Sequence, residues 1–99
     1  MASERITVVH NTETKRFDTD VDGYPGVVEY MLAPNSIVFT HTEVAPEIEG
    51  RGVASQIVET ALDYAREEGL KVTPLCAFVA AYIRRHPEYQ DLLIAGFSL

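Results

Sequence analysis

A chain of 99 residues with 46% hydrophobic side chains has apolar mass for one core and too little for two, so a single domain over residues 1–99 is expected. Eight basic against fifteen acidic side chains give a net charge of -7, which argues against a nucleic-acid footprint, and a single cysteine excludes both an internal disulfide and a four-thiolate zinc site. No apolar run reaches the roughly eighteen residues that span a bilayer, and the start Met1-Ala2-Ser3-Glu4-Arg5 lacks the order of a secretory signal, so no membrane partner is expected and the cytoplasm is the expected location.

Residues 6–9 (Ile-Thr-Val-Val) and 16–19 (Arg-Phe-Asp-Thr) flank a polar Asn11-Thr12-Glu13-Thr14 segment, which predicts two strands joined by a turn. Tyr24-Pro25-Gly26 is expected to break the chain. Residues 27–32 resume it as a strand, and Ala33-Pro34-Asn35-Ser36 turns it into a further strand over 37–44, for four antiparallel strands in all. Asp18, Asp20, Asp22, Gly23 and Glu29 also fit the spacing of a calcium loop. That loop needs a helix on each side, however, and these flanks read as strands, so the acids are assigned to a strand end and turn and no metal is expected.

At Gly52 the period changes. Val53, Ile57, Val58, Ala61, Leu62 and Ala65 form one helical face, with Gln56, Glu59, Thr60, Asp63, Arg66 and Glu67 on the other. Gly69 is placed to cap this helix of about seventeen residues, and Leu70-Lys71-Val72-Thr73 reads as a buried strand. Val44 and Val72 are then expected to be parallel neighbours joined by a right-handed crossover. Phe78, Val79, Tyr82 and Ile83 start a second helix that ends near His86, before Pro87. The fold class is therefore α/β (α+β): a mixed sheet with an antiparallel N-terminal part, a parallel strand-helix-strand core and a C-terminal helix. Leu92, Leu93, Ile94, Phe97 and Leu99 are expected to pack on the chain's own core.

The chemically informative stretch joins the end of a strand to the start of a helix, from Thr42 to Ser55. Gly50 and Gly52 allow a tight turn close to a ligand, and the first N–H groups of the helix have no carbonyl partner, so the loop suits a phosphate. Arg51 would add a charge-assisted contact. No Gly-Lys-Ser/Thr follows and no third glycine completes a dinucleotide fingerprint.

Here the sequence resembles the GNAT superfamily of acetyl-coenzyme A-dependent N-acetyltransferases. The family's Gln/Arg-x-x-Gly-x-Gly/Ala motif, after a strand ending in Val-x-Pro, lies on Glu49-Gly50-Arg51-Gly52-Val53-Ala54 behind Val44-Ala45-Pro46. Gly52 and Ala54 match, whereas Glu49 stands where the family has Arg or Gln. Residues 70–89, with His41-Thr42-Glu43-Val44, look like the small stand-alone branch of about 100 residues. The resemblance implies a coenzyme A wedged between two splayed parallel strands, with the backbone near Glu43 and Val44 holding the pantetheine arm and acetyl group and Gly50, Arg51, Gly52, Val53, Ala54 and Ser55 holding the pyrophosphate.

Acetyl transfer to an amine needs a neutral nucleophile, donors for a developing oxyanion and a proton for the departing thiolate. His41, two residues before Glu43 and on the same strand face, suits a general base near neutral pH, with Glu43 as the alternative. Cys76 opens the last helix, where the dipole favours a thiolate, and is either an acetyl-accepting nucleophile, a lining of the acetyl site or a buried inert thiol. Tyr82 corresponds to the tyrosine that many family members use as proton donor to coenzyme A; the alternative is a core aromatic. Arg84-Arg85-His86 is assigned to the helix C-terminus, where cations are favoured, ahead of contact with an adenosine phosphate. The expected activity is acetyl transfer from acetyl-coenzyme A to a primary amine, with a basic protein or peptide as a fitting acceptor for an acidic enzyme. The alternative is a non-catalytic coenzyme A binding module.

Overall fold

In the computed structural model, which describes residues 5–99, five strands form one sheet in the order β1-β2-β3-β4-β5 and two helices pack against it. The strands are β1 (Val9–Asn11), β2 (Arg16–Val21), β3 (Tyr24–Ala33), β4 (Ser36–Val44) and β5 (Lys71–Pro74); the helices are α1 (Val53–Glu67) and α2 (Ala77–Arg85). The first four strands are antiparallel neighbours and β5 runs parallel to β4, which is the expected mixed sheet.

Several boundaries differ from the sequence pattern for local reasons. Ile6 donates its N–H to Gln56 Oε1 on α1, and Thr7 accepts from Thr19 Oγ1, so this segment satisfies its polar groups on side chains and ladder pairing starts only at Val9. Gln56 is accordingly buried rather than solvated. Pro25 does not interrupt the chain. Its carbonyl accepts the N–H of Ala45, and the donor it lacks falls where β4 has already ended, so β3 passes through it. The acids from Asp18 to Glu29 lie on the β2–β3 hairpin, where Asp20 Oδ1 accepts the N–H of Gly23.

Ile57, Ala61, Leu62 and Ala65 of α1 are wholly buried against Phe17, Val28, Tyr30, Ile37, Phe39 and Val72 of the sheet. α1 is 15 residues long and closes on Gly69 at φ 69°: Leu70 donates to the carbonyl of Ala65 and Gly69 to that of Arg66, which satisfies the carbonyls a helix end leaves open. α2 leans on α1 and on the ends of β4 and β5, and Leu92 packs into the same core while Ile94 bonds to Val72 on the outer edge of β5. The tail therefore packs at home through Leu92 and Leu93, with Leu99 left 37% exposed.

Gly26 sets how closely α1 approaches β3. A Cβ there would lie 3.1 Å from Ile57 Cδ1 and 3.2 Å from both Val53 Cγ1 and Thr19 Cγ2. A Gly26→Val protein is expected to lose roughly 2 kcal/mol by overpacking. The check is the midpoint of urea unfolding; an unchanged midpoint would mean that the first turn of α1 backs away at no cost.

Candidate active site

β4 and β5 pair only from Ser36–Lys71 to Phe39–Pro74, so Val72 lies opposite Ile37 and not near Val44, as the crossover alone suggests. At Phe39, whose carbonyl accepts the N–H of Cys76 at 2.9 Å, the two strands part. Cys76 becomes the N-cap of α2, while β4 continues to Val44 with the edge facing β5 unpaired.

A bulge decides what that edge presents. Glu29 lies opposite His41 and Tyr30 opposite Phe39, which leaves Thr40 without a partner on β3. The extra residue reverses the alternation of the strand. Ala45 donates to Pro25, so residues 41, 43 and 45 direct their main-chain groups to β3, and those of Thr42 and Val44 face the unpaired edge. Side chains follow the same alternation: Thr42 and Val44 turn toward α1, and His41 and Glu43 to the other face. Across the fork, Thr42 Oγ1 lies 3.2 Å from Cys76 Sγ.

From Val44 the chain makes a single 3-10 turn, Pro46–Ile48, then reaches Gly50 at φ 81° and Gly52 at φ 74°, both in the left-handed region that glycine adopts without strain. Gly52 is the N-cap of α1 and, among the described residues, no side chain caps the helix. Gln56 N–H to Gly52 O is its first bond, so the N–H groups of Val53, Ala54 and Ser55 have no carbonyl behind them, and no acid in the first turn competes for the positive end of the dipole. These amides open on a cleft of about 340 Å³. Gly50, Gly52, Val53, Ala54 and Ser55 line it together with Val44 and Thr42, Ile48 and Phe78 supply apolar walls, and Glu49 is the one charged residue on it among the described residues.

The other expected residues are distributed differently. Arg51 does not line the cleft; its Nη1 lies 2.9 Å from Asp22 Oδ2 on the β2–β3 turn. His41 Nε2 and Glu43 Oε1 are 2.9 Å apart on the exposed face of β4, and the main chain of Glu43 is turned to β3. Cys76 is half-buried at the fork. Tyr82 sits six residues further on, about 9 Å up the helix, only 5% exposed, stacked on His86 with ring centroids 3.9 Å apart. Burial, and then the carboxylates of Glu59, Glu88 and Asp63, hold its phenol above the usual range, and it is placed in the core rather than at the cleft. Arg84 and Arg85 occupy the last turn of α2, and His86 Nδ1 bonds to the carbonyl of Tyr82.

Thr42 and the bulge escaped the sequence reading. Alternation alone separates Thr42 from His41 and Glu43, yet nothing in the sequence marks Thr40 as the unpaired residue.

The sequence profile of the family described as GCN5-related N-acetyl-transferase matches residues 16–92. Among curated relatives, human Protein NATD1 is 32% identical over 90 residues, covering 88% of this chain and 80% of the relative. Xenopus tropicalis Protein NATD1 is 29% identical over 94 residues, covering 91% and 85%. The NMR solution structure of a GCN5-like protein from Staphylococcus aureus superposes with a TM-score of 0.72 at 24% identity, over 94% of this chain and 91% of that one, and shares the fold. With the profile match spanning β2 through the turn that follows α2, and with a forked mixed sheet to go with it, the chain belongs to the GCN5-related N-acetyltransferase family.

Proposed function

We propose that the protein transfers the acetyl group of acetyl-coenzyme A to a primary amine: a lysine side chain, a protein N-terminus or a polyamine. The carrying observation is that one cleft holds both an uncapped helix N-terminus and an unpaired strand edge. The amides of Val53, Ala54 and Ser55 suit a diphosphate, and the main-chain groups of Thr42 and Val44 suit the amides of a pantetheine arm and the carbonyl of its thioester. Bound there, acetyl-coenzyme A supplies an activated acyl group. The residues of this chain orient it and manage protons. His41, held by Glu43, takes the proton of the attacking amine. Cys76, beside the same edge, either lines the acetyl group or receives it before the amine does. A net charge of -7 steers cationic acceptors to the surface, and the cytoplasm is the proposed location.

His41→Ala is expected to lower kcat about a hundredfold and to remove the limb of the pH–rate profile that reports the base. Retention of both would exclude His41 from that role. Cys76→Ala separates the two routes: full turnover with no acetylated protein in the intact mass spectrum leaves direct transfer alone. The reading as a non-catalytic coenzyme A binding module is separated by a free-thiol assay. Either protein is stabilised by coenzyme A, by about 2.7 kcal/mol at a hundred times the dissociation constant, but only the enzyme releases thiol when an amine is added.

A further inference from the structure

We infer that Glu29 selects acceptors carrying a second cationic group, which it binds in a groove behind the acetyl site. This rests on acetyl transfer at the fork of β4 and β5. The groove, of about 340 Å³, lies on the sheet face turned away from α1 and is lined by Arg16, Pro25, Val27, Glu29, Glu43 and Pro46. Strand alternation ties it to the cleft: Thr42 and Val44 line the cleft and Glu43 and Ala45 line the groove, so the two hollows are separated by one strand whose outer edge is unpaired. An amine that reaches the acetyl group around that edge trails the rest of its chain into the groove.

The carboxylate of Glu29 is half-buried there and makes no hydrogen bond or ion pair with the described residues. Its cross-strand neighbours form ion pairs with other carboxylates, although the buried Nε of Arg16 makes no hydrogen bond among the described residues. Arg16, opposite it on β2, is turned to Asp18, with Nε 3.2 Å from Oδ1, and His41, opposite it on β4, is bonded to Glu43. Of the charged residues that line the groove, Arg16 is paired with Asp18 and Glu43 with His41, which leaves Glu29 as the one without an ion-pair partner among the described residues. A carboxylate with no partner of its own is available to a ligand cation through charge-assisted hydrogen bonds. Pro25, Val27 and Pro46 give the groove an apolar wall suited to a methylene chain. With neighbouring strands about 4.8 Å apart, the second cation lies on the order of 6–10 Å from the transferred nitrogen, the reach of a short diamine or of a basic side chain next to an acceptor lysine.

The test compares kcat/KM at saturating acetyl-coenzyme A for two pairs of acceptors that differ by one cation: butylamine with putrescine, and blocked Ala-Lys-Ala with blocked Ala-Lys-Arg. The wild-type protein should prefer the dication of at least one pair by about tenfold, the factor for one charge-assisted hydrogen bond. The pair that shows it tells a small diamine from a peptide. Glu29→Gln should abolish the preference, Glu29→Asp should restore part of it, and neither should change the butylamine rate or the thermal shift with coenzyme A. Turnover without any such preference, or a preference that survives Glu29→Gln, overturns the role of Glu29 and leaves the transferase reading standing. Absence of thiol release with all four amines overturns both.

Discussion

An Ala54→Glu protein will lose coenzyme A binding while its ligand-free form is at least as stable as before. Ala54 is in the first turn of α1, on the cleft, among amides that have no carbonyl partner and no side-chain cap. A carboxylate placed there meets the positive end of the helix dipole and stabilises the helix by about 0.3–1 kcal/mol, so the fold has no reason to suffer. It occupies, however, the donors a diphosphate would use, and it repels that diphosphate. Losing two charge-assisted hydrogen bonds amounts to about 3 kcal/mol, or on the order of a hundredfold in affinity. Calorimetric titration with coenzyme A, alongside thermal melts of the ligand-free protein, checks both halves. Undiminished binding would show that the cradle lies elsewhere.

The largest loss of stability is expected from Phe39→Ala. Phe39 is fully buried at the centre of β4, with its ring 6.5 Å from that of Tyr30 in an edge-on arrangement, and it is the last residue paired with β5 before the strands part. Emptying that position removes a large apolar side chain and leaves a cavity that strands fixed on both sides cannot close, for a cost of about 4 kcal/mol. In a domain of this size the melting temperature then falls by roughly 15–30 °C. Because the carbonyl of Phe39 also anchors Cys76, the same cavity loosens the fork, and the fraction of protein that still folds should bind coenzyme A less well. Met31→Ala is the control. Met31 lies two residues from Glu29 on the uncovered face and is 61% exposed, so its loss is expected to cost under about 0.5 kcal/mol. Similar losses from the two changes would contradict the assignment of inner and outer faces.

Much of this protein is written in local patterns. The face from Val53 to Ala65, the glycine at 69 and the alternation in β2 to β4 each report a short-range preference, which is why the elements and their order could be read directly. The glycines at 50 and 52, set between a strand and a helix, likewise mark the turn and the start of α1, since the left-handed backbone they adopt there is one that glycine takes without strain. The errors fall where a distant partner decides: Pro25 is tolerated because β4 ends opposite it, and Gln56 is buried because Ile6 bonds to it.

What the chain by itself determined is thus the set of elements, the helix-facing core and the glycine turn that joins β4 to α1. Tertiary structure alone decided that Thr40 has no residue opposite it in the β3–β4 ladder, that β5 leaves β4 at Phe39, and hence that Thr42 meets Cys76 while His41 and Glu43 turn away and Tyr82 goes to the core. The reason is physical. Periodicity fixes which side of its own strand a residue occupies, but the register between strands is set by the sum of contacts across the sheet, and one unpaired residue reverses every orientation beyond it.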